Sequence, residues 1–98
     1  MGISITRIIR PKGVKTVYID ASIDTNECRI TRIQISGDFF LYPPEALDEL
    51  EEGLRGCNSE ECIYSAVDKF AEKTTAIGLD YDALKIALAE ILRGVCSK

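Results

Sequence analysis

Residues 17–23, VYIDASI, place an aliphatic side chain at every second position. Because successive side chains of a β-strand point to opposite faces of a sheet, this alternation predicts a strand with one face buried. The polar residues 24–27, DTNE, are typical of a turn. Residues 3–9 carry further isoleucines and predict an earlier strand, which must end before the Pro-Lys-Gly break at residues 11–13.

The apolar residues after the polar turn predict the returning strand of an antiparallel hairpin. Cys28 and Ile30 occupy even-numbered positions, whereas Ile33 and Ile35 occupy odd-numbered ones, so in an unbroken strand the two pairs would point to opposite faces. A shift of one residue indicates either a β-bulge or a strand that begins only after Thr31.

The rest of the chain has helical periodicity. Apolar side chains recur at intervals of three and four in three successive segments, as on the buried face of an amphipathic helix. These side chains are Leu47, Leu50 and Leu54; Ile63, Ala66, Val67, Phe70 and Ala71; and Leu84, Ala87, Leu88, Ile91 and Leu92. Strands followed by helices predict an α+β fold, in which three helices pack on a small antiparallel sheet of two to three strands.

Several residues are expected to mark the helix ends. Pro44 suits the first helical position, where its missing N–H costs nothing, and Gly56 suits the residue just beyond the first helix. Asn58 with Glu61 resembles a capping box for the second helix. Asp80 is expected to cap the third helix.

The four cysteines, Cys28, Cys57, Cys62 and Cys96, contain no C-x-x-C pair, so no zinc or thioredoxin-type motif is indicated. With a helix cap at Asn58, Cys57 and Cys62 would occupy positions that touch in a hydrophobic staple. Two thiols at these positions either pack as small apolar side chains or form a disulfide.

Composition and charge exclude several classes of function. The chain has 98 residues, a net charge of −4 and no histidine, which argues against nucleic-acid binding and most hydrolase chemistry. No phosphate-binding loop, signal peptide or membrane-spanning run is present. We therefore expect one cytoplasmic domain, residues 1–98, without contact to nucleic acid or membrane, without a metal site and without catalytic residues of its own.

Cys57 and the acidic residues of the first helix each have a functional and a structural interpretation. Cys57 lies beside Arg55 and near a helix start, features that stabilise a thiolate, although Glu60 and Glu61 oppose its ionisation. The acidic residues of the first helix interleave with its leucines and are expected to face water rather than to bind a cation. They are Glu45, Asp48, Glu49, Glu51 and Glu52.

Residues 37–40, Gly-Asp-Phe-Phe, are the most unusual segment. Adjacent side chains at a strand end point to opposite faces, so one phenylalanine is expected in the core. The other either docks a partner or covers a corner of the core. The turn at Lys12 and Gly13 is either a solvated loop or a contact for a phosphate or carboxylate.

The order of these features resembles the C-terminal accessory domain of lipoate–protein ligases, including split archaeal ligases in which a small subunit partners a separate catalytic subunit. The similarity covers roughly residues 10–93. Its most specific parts are Gly37-Asp38-Phe39-Phe40 and Leu54-Arg55-Gly56-Cys57.

This resemblance implies a non-catalytic subunit that forms a heterodimer with the catalytic subunit and supports ATP-dependent adenylation of lipoate. The lipoyl group then passes to a lysine of an acceptor protein, which this subunit meets only indirectly. ATP, Mg²⁺ and lipoate are expected on the catalytic subunit, and no cofactor is expected on this chain. The expected contact surface consists of Lys12, Gly13, Gly37, Asp38, Phe39 and Phe40.

The same architecture resembles that of SufE, NifU and IscU proteins. It implies an alternative function, a sulfur acceptor or iron–sulfur scaffold that uses Cys57. Such a role requires an exposed, low-pKa thiol or several convergent cysteines.

Overall fold

A computed structural model describes residues 2–10 and 16–96 of the chain. In chain order the elements are β1 (Gly2–Ile9), β2 (Val17–Asp24), β3 (Arg29–Gly37), β4 (Phe40–Tyr42), α1 (Ala46–Leu54), α2 (Glu60–Lys73), β5 (Thr75–Ile77) and α3 (Tyr81–Val95). An antiparallel sheet has the order β1-β2-β3, and β4 pairs with β5 in a separate two-stranded ribbon. The α+β class with three helices is confirmed. The ribbon was not predicted, and the likeness to SufE and NifU stays a prediction.

The central strand β2 buries every second side chain, as its alternation predicts. Its pairing with β3 shifts after Ser22, which lies opposite Arg32, so that Ile23 lies opposite Ile30. Thr31 is the extra residue on β3, and its hydroxyl donates to the carbonyl oxygen of Ser22 at 3.1 Å. The bulge is therefore the correct interpretation of the parity shift, because it returns both halves of β3 to the buried face.

The helices cover one face of the sheet and form a single hydrophobic core with it. α1 packs against β3 and α2, α2 packs against α3, and α3 reaches β1. The opposite face of the sheet is exposed and mostly polar; it carries Ser4, Thr6, Asp20, Arg32 and Gln34, with Ile8 and Tyr18 at one end. None of the helices formed by the described residues is long and apolar enough to cross a membrane.

Two of the predicted helix starts are wrong by one or two residues. α1 begins at Ala46, not at Pro44, because the carbonyl oxygens of Pro43 and Pro44 accept i+3 hydrogen bonds in a tight turn before the helix. Ser59 rather than Asn58 caps α2: its backbone is extended and its hydroxyl accepts the N–H of Cys62 at 3.2 Å. Both Asn and Ser suit a cap, so the sequence does not distinguish them.

The other predicted helix ends are confirmed. Asp80 caps α3 and accepts the N–H groups of Asp82 and Ala83 at 3.0 and 3.1 Å. Gly56 follows α1 with φ 92°, a left-handed conformation that glycine adopts without a steric penalty.

Candidate functional site

The segment that begins at Gly37 connects the main sheet to the ribbon. Gly37 lies opposite Val17, and a Cβ atom here would overlap the carbonyl oxygen of Thr16 and lie 3.1 Å from the Val17 Cα. The N–H of Asp38 donates to the same Thr16 oxygen at 3.3 Å. Glycine is therefore required for the close approach of β2 and β3 at this end of the sheet.

The two phenylalanines that follow point in different directions. Phe39 is half-buried and packs against the core, whereas the Phe40 side chain is 77% exposed. The expectation that one of them enters the core is confirmed. Of the predicted contact residues, Phe40 and Asp38 are on the surface, and Lys12 and Gly13 lie outside the described residues.

Phe40 belongs to an exposed apolar face of the β4–β5 ribbon. It lies opposite Ile77, which is 70% exposed, and Tyr42, which is 75% exposed, lies opposite Thr75. We call Phe40, Tyr42, Thr75 and Ile77 the ribbon face. The alternate residues of the ribbon, Leu41 and Ala76, are half-buried and pack against the core.

A cluster at the end of α2 holds β5 in position. The Phe70 and Tyr81 rings meet edge to face, with centroids 5.7 Å apart. The hydroxyl of Thr74 donates to the carbonyl oxygen of Phe70 at 2.7 Å and lies 2.9 Å from the hydroxyl of Tyr81. These contacts fix the residue before β5 on both sides.

The contribution of β5 to this surface was not predicted. Its three residues, Thr75–Ile77, are too few to show a period of two. The available signal was compositional: β-branched threonines follow α2 directly, and Ile77 precedes a glycine.

Cys57 and Cys62 form a disulfide, with Cα atoms 5.5 Å apart. Of the two arrangements that the sequence left open, packed thiols or a disulfide, the structure has the disulfide. The Cys57 side chain is buried and carries no thiol in this state, so it does not offer the exposed thiolate that sulfur transfer requires.

The disulfide also closes the connection between α1 and α2 next to β3. Ile30 donates its N–H to the carbonyl oxygen of Cys57 at 2.8 Å and accepts the N–H of Gly56 at 2.6 Å. Residues that follow α1 therefore continue the hydrogen bonding of β3 at its bulged end.

The acidic residues of α1 do not form a cation site. Glu49 pairs with Lys73 at 3.7 Å, and Glu51 accepts the backbone N–H of Ile35 at 2.8 Å. Asp48 and Glu52 are exposed, as expected for a solvated helix face. Within residues 2–10 and 16–96, no three His, Cys, Asp or Glu side chains converge as metal ligands would.

Surface ion pairs connect α2 to α3. Arg93 contacts Glu60 at 2.7 Å, and this hydrogen bond lowers the pKa of the Glu60 carboxyl below its ordinary value. Lys85 contacts Asp68 at 2.8 Å, which raises the pKa of the Lys85 ammonium. Each of these side chains is paired at the surface, an arrangement typical of stabilising contacts rather than of a reaction centre.

The grooves of the described chain are shallow and open. One of about 390 Å³ lies between α1 and α2, and the paired side chains of Glu49 and Lys73 line it together with Leu50 and Phe70. Glu52 and Lys69 also line this groove, and none of its four charged side chains is buried. Among the described residues, the ribbon face carries the three most exposed large apolar side chains.

Comparison with known proteins gives three consistent results. Residues 14–93 match the sequence family described as bacterial lipoate protein ligase C-terminus. Lipoate-protein ligase A subunit 2 of Thermoplasma acidophilum is 42% identical over 47 residues, which are 48% of this chain and 50% of that protein. This alignment therefore spans about half of the relative's length.

The third result is a structural similarity. A chain from the solved structure of a bipartite lipoate protein ligase and its E2 lipoyl domain, also from Thermoplasma acidophilum, superposes with a TM-score of 0.76 at 28% identity. The superposition covers 90% of the chain described here and 97% of that chain.

Proposed function

Because the chain belongs to the lipoate protein ligase C-terminus family, we propose that it is the accessory, non-catalytic subunit of a two-component lipoate–protein ligase. In this proposal it forms a heterodimer with a separate catalytic subunit in the cytoplasm. The heterodimer adenylates lipoate with ATP and then transfers the lipoyl group to a lysine of an acceptor protein.

One observation carries the proposal: the fold matches a chain of a bipartite archaeal ligase over 97% of that chain's length. The similarity to a protein named subunit 2 of such a ligase supports the same assignment. The superposition extends over 90% of the chain described here as well, so the similarity is one of whole folds and not of a shared fragment.

The surface chemistry of the described residues supports a docking role. In the grooves beside the helices Glu49 pairs with Lys73 and Asp68 pairs with Lys85, and Cys57 is in a disulfide. By contrast, Phe40 is three-quarters exposed at the end of a segment that Gly37 and Phe39 hold against the sheet and core. We assign Phe40 and Asp38 to the contact with the catalytic subunit, and Gly37 and Phe39 to its support.

The proposal places the chemistry on the catalytic subunit. Adenylation joins the lipoate carboxylate to the α-phosphate of ATP and releases pyrophosphate. ATP, Mg²⁺ and lipoate therefore bind there, and the accessory subunit acts by docking beside that site. Lys12 and Gly13, if they reach the same partner, would add a cation near phosphate or acidic groups.

Pyrophosphate exchange tests this function directly. A lipoate ligase catalytic subunit from the same source is assayed for lipoate-dependent exchange of pyrophosphate into ATP, with and without the chain. We expect exchange to require both proteins, and omission of lipoate is the control. Equal exchange by the catalytic subunit alone would contradict an accessory role in adenylation.

A further inference from the structure

The side chains of the ribbon face expose a large, continuous apolar surface that does not pack against the core. Phe40, Tyr42 and Ile77 are 70–77% exposed, and none of the four side chains on this face is charged. An aromatic side chain contributes on the order of 150–250 Å² when covered, so the face presents on the order of 400 Å² of apolar surface. Patches of this size on a monomer are often binding sites.

The ribbon is held in place by residues on its other side, not by the exposed side chains of the ribbon face. Leu41 and Ala76 pack against the core from the opposite side of the ribbon. Thr74, the residue before β5, is bonded to the Phe70 carbonyl and to the Tyr81 hydroxyl. A two-stranded ribbon is marginal alone, and these contacts supply its support. The exposed side chains of the ribbon face are therefore not needed to support the ribbon and are available to contact a partner.

The position of the ribbon indicates which partner covers it. The similarity to the C-terminal portion of lipoate protein ligases begins at residue 14. In this chain β1 precedes that point and pairs with β2, with Ile9 opposite Val17. The described chain resumes at Thr16, whose carbonyl oxygen accepts the N–H of Asp38, two residues before Phe40. The ribbon therefore begins at the end of the sheet where β1 ends and β2 starts, and the relative named subunit 2 and the solved bipartite ligase indicate a second ligase subunit as the partner.

The other exposed apolar side chains, on the sheet at Ile8 and Tyr18 and on the helices, are less exposed than those of the ribbon face. Tyr64 and Ile86 are exposed on α2 and α3. They share a groove with Lys85 and with Asp68 and Asp82, each of which forms an ion pair with Lys85. Covering this groove would remove charged groups from water, which is costly, whereas the ribbon face carries no such cost.

We propose that the ribbon face, Phe40, Tyr42, Thr75 and Ile77, is the surface that the catalytic subunit covers, through an uncharged, apolar patch of its own. This inference rests on the proposed function and extends it, because it adds β5 to the contact and makes Ile77 and Tyr42 central to it. Residues at the centre of an interface contribute most of its binding energy.

Matched substitutions of two exposed isoleucines test the inference. Ile77→Lys places a charge in the ribbon face, and Ile86→Lys makes the same change on α3, where lysine is compatible with the helix. Binding to the catalytic subunit is measured by calorimetry for both variants and the unchanged chain. We expect Ile77→Lys to weaken binding at least tenfold, and Ile86→Lys to change it less than twofold.

A second variant, together with measurements of folding, distinguishes a loss of binding from a loss of folding. Tyr42→Thr removes the aromatic ring but keeps a residue suited to a strand. Circular dichroism and thermal unfolding establish that each variant is folded, and Tyr42→Thr is expected to weaken binding about fivefold or more. If a folded Ile77→Lys and a folded Tyr42→Thr both bind like the unchanged chain, the ribbon face is not the contact, although the proposed function would stand.

The remaining outcomes also overturn the inference. If the unchanged chain does not bind the catalytic subunit at all, both the inference and the proposed heterodimer are wrong. If Ile86→Lys weakens binding as much as Ile77→Lys, the effect is one of charge and not of the ribbon. If sedimentation shows a homodimer that Ile77→Lys dissociates while ligase binding is unchanged, a second copy of the chain covers the face instead.

Discussion

The carboxylate of Glu51 on α1 accepts the backbone N–H of Ile35 on β3, with 2.8 Å between Oε2 and N. β3 is at one edge of the sheet, where outward N–H groups lack a strand partner. Together with the bonds of Ile30 to Gly56 and Cys57, this contact closes the β3 edge with residues from α1 and its C-terminal connection. Glu51 is thus a structural residue among solvated acids.

Replacing Glu51 tests this role. Glu51→Ala leaves the half-buried N–H of Ile35 without its charged acceptor, and we expect a loss of about 1.5–3 kcal/mol in the free energy of unfolding. Glu51→Gln keeps an acceptor and should lose less. Glu52→Ala, at an exposed position of the same helix, is the control, with a change within about 0.5 kcal/mol. Urea unfolding measures all three; equal stability of Glu51→Ala and Glu52→Ala would contradict the assignment.

Phe39 and Phe40 should differ in what they stabilise. Phe39→Ala removes a half-buried ring that packs against the core, and we expect it to lower the free energy of unfolding by about 2 kcal/mol. Phe40→Ala removes an exposed ring and should leave stability within about 0.5 kcal/mol, while weakening binding to the catalytic subunit. Denaturant unfolding and calorimetry on the same two variants separate these effects. A stability loss for Phe40→Ala equal to that for Phe39→Ala would show that both rings are in the core.

Gly37 should tolerate no side chain. Gly37→Ala forces a Cβ onto the Thr16 carbonyl oxygen, and we expect it to destabilise the chain by about 1–3 kcal/mol. Gly94→Ala is the matched control, because a Cβ there meets no atom within 4 Å and alanine favours the helix by about 0.5 kcal/mol. Thermal unfolding should therefore shift in opposite directions for the two variants, and a shift in the same direction would refute the close-approach argument.

The Cys57–Cys62 disulfide should stabilise the chain through its short loop. Cross-linking residues five apart removes enough unfolded-state entropy to contribute about 2 kcal/mol. Urea unfolding with and without a phosphine reductant measures this difference. Cys62→Ala, which has no disulfide to reduce, should show no response to the reductant. Mass spectrometry after alkylation of the native chain should find residues 57 and 62 unlabelled until reduction; their labelling beforehand would contradict the disulfide.

The Glu60–Arg93 pair gives stability a pH dependence of known sign. Because the hydrogen bond from Arg93 holds the pKa of Glu60 below its ordinary value in the folded state, the unfolded chain binds this proton more readily. The contribution is fully present above the unfolded-state pKa and is lost as the pH falls through the lower, folded pKa. Arg93→Gln should raise the pKa of Glu60, as measured by carboxyl carbon NMR, and flatten this acid dependence. Arg32→Gln, on the face of the sheet opposite to the helices, should leave the Glu60 titration unchanged.

Much of the fold was predictable because it depends on local periodicity. The alternation in residues 17–23 predicts β2, and the shift between Ile30 and Ile33 left a bulge as one of two alternatives, which the structure has. The apolar spacing of the three helices and the cap at Asp80 likewise follow from side chains close in sequence. Each of these features depends on residues within a single helix or strand, which either form its buried face or accept its unpaired N–H groups.

The candidate site was predicted only in part. The role of the Gly-Asp-Phe-Phe segment as a contact surface stays a prediction, and which ring is buried depends on where the core lies relative to β4. Lys12 and Gly13 stay a prediction, because they lie outside the described residues. The Cys57–Cys62 pairing was one of two open alternatives, and the choice depends on how the chain enters α2.

What the sequence alone determined is therefore the set of elements and the faces that they bury. What only the tertiary structure decided is which distant segments meet: β4 with β5, Glu51 with Ile35, and Gly37 with Thr16. The physical reason is the separation in sequence over which each kind of interaction acts. Periodicity and capping act over a few residues, whereas these contacts join segments whose proximity exists only after the helices have packed on the sheet, and strands of three residues are too short to reveal their partner.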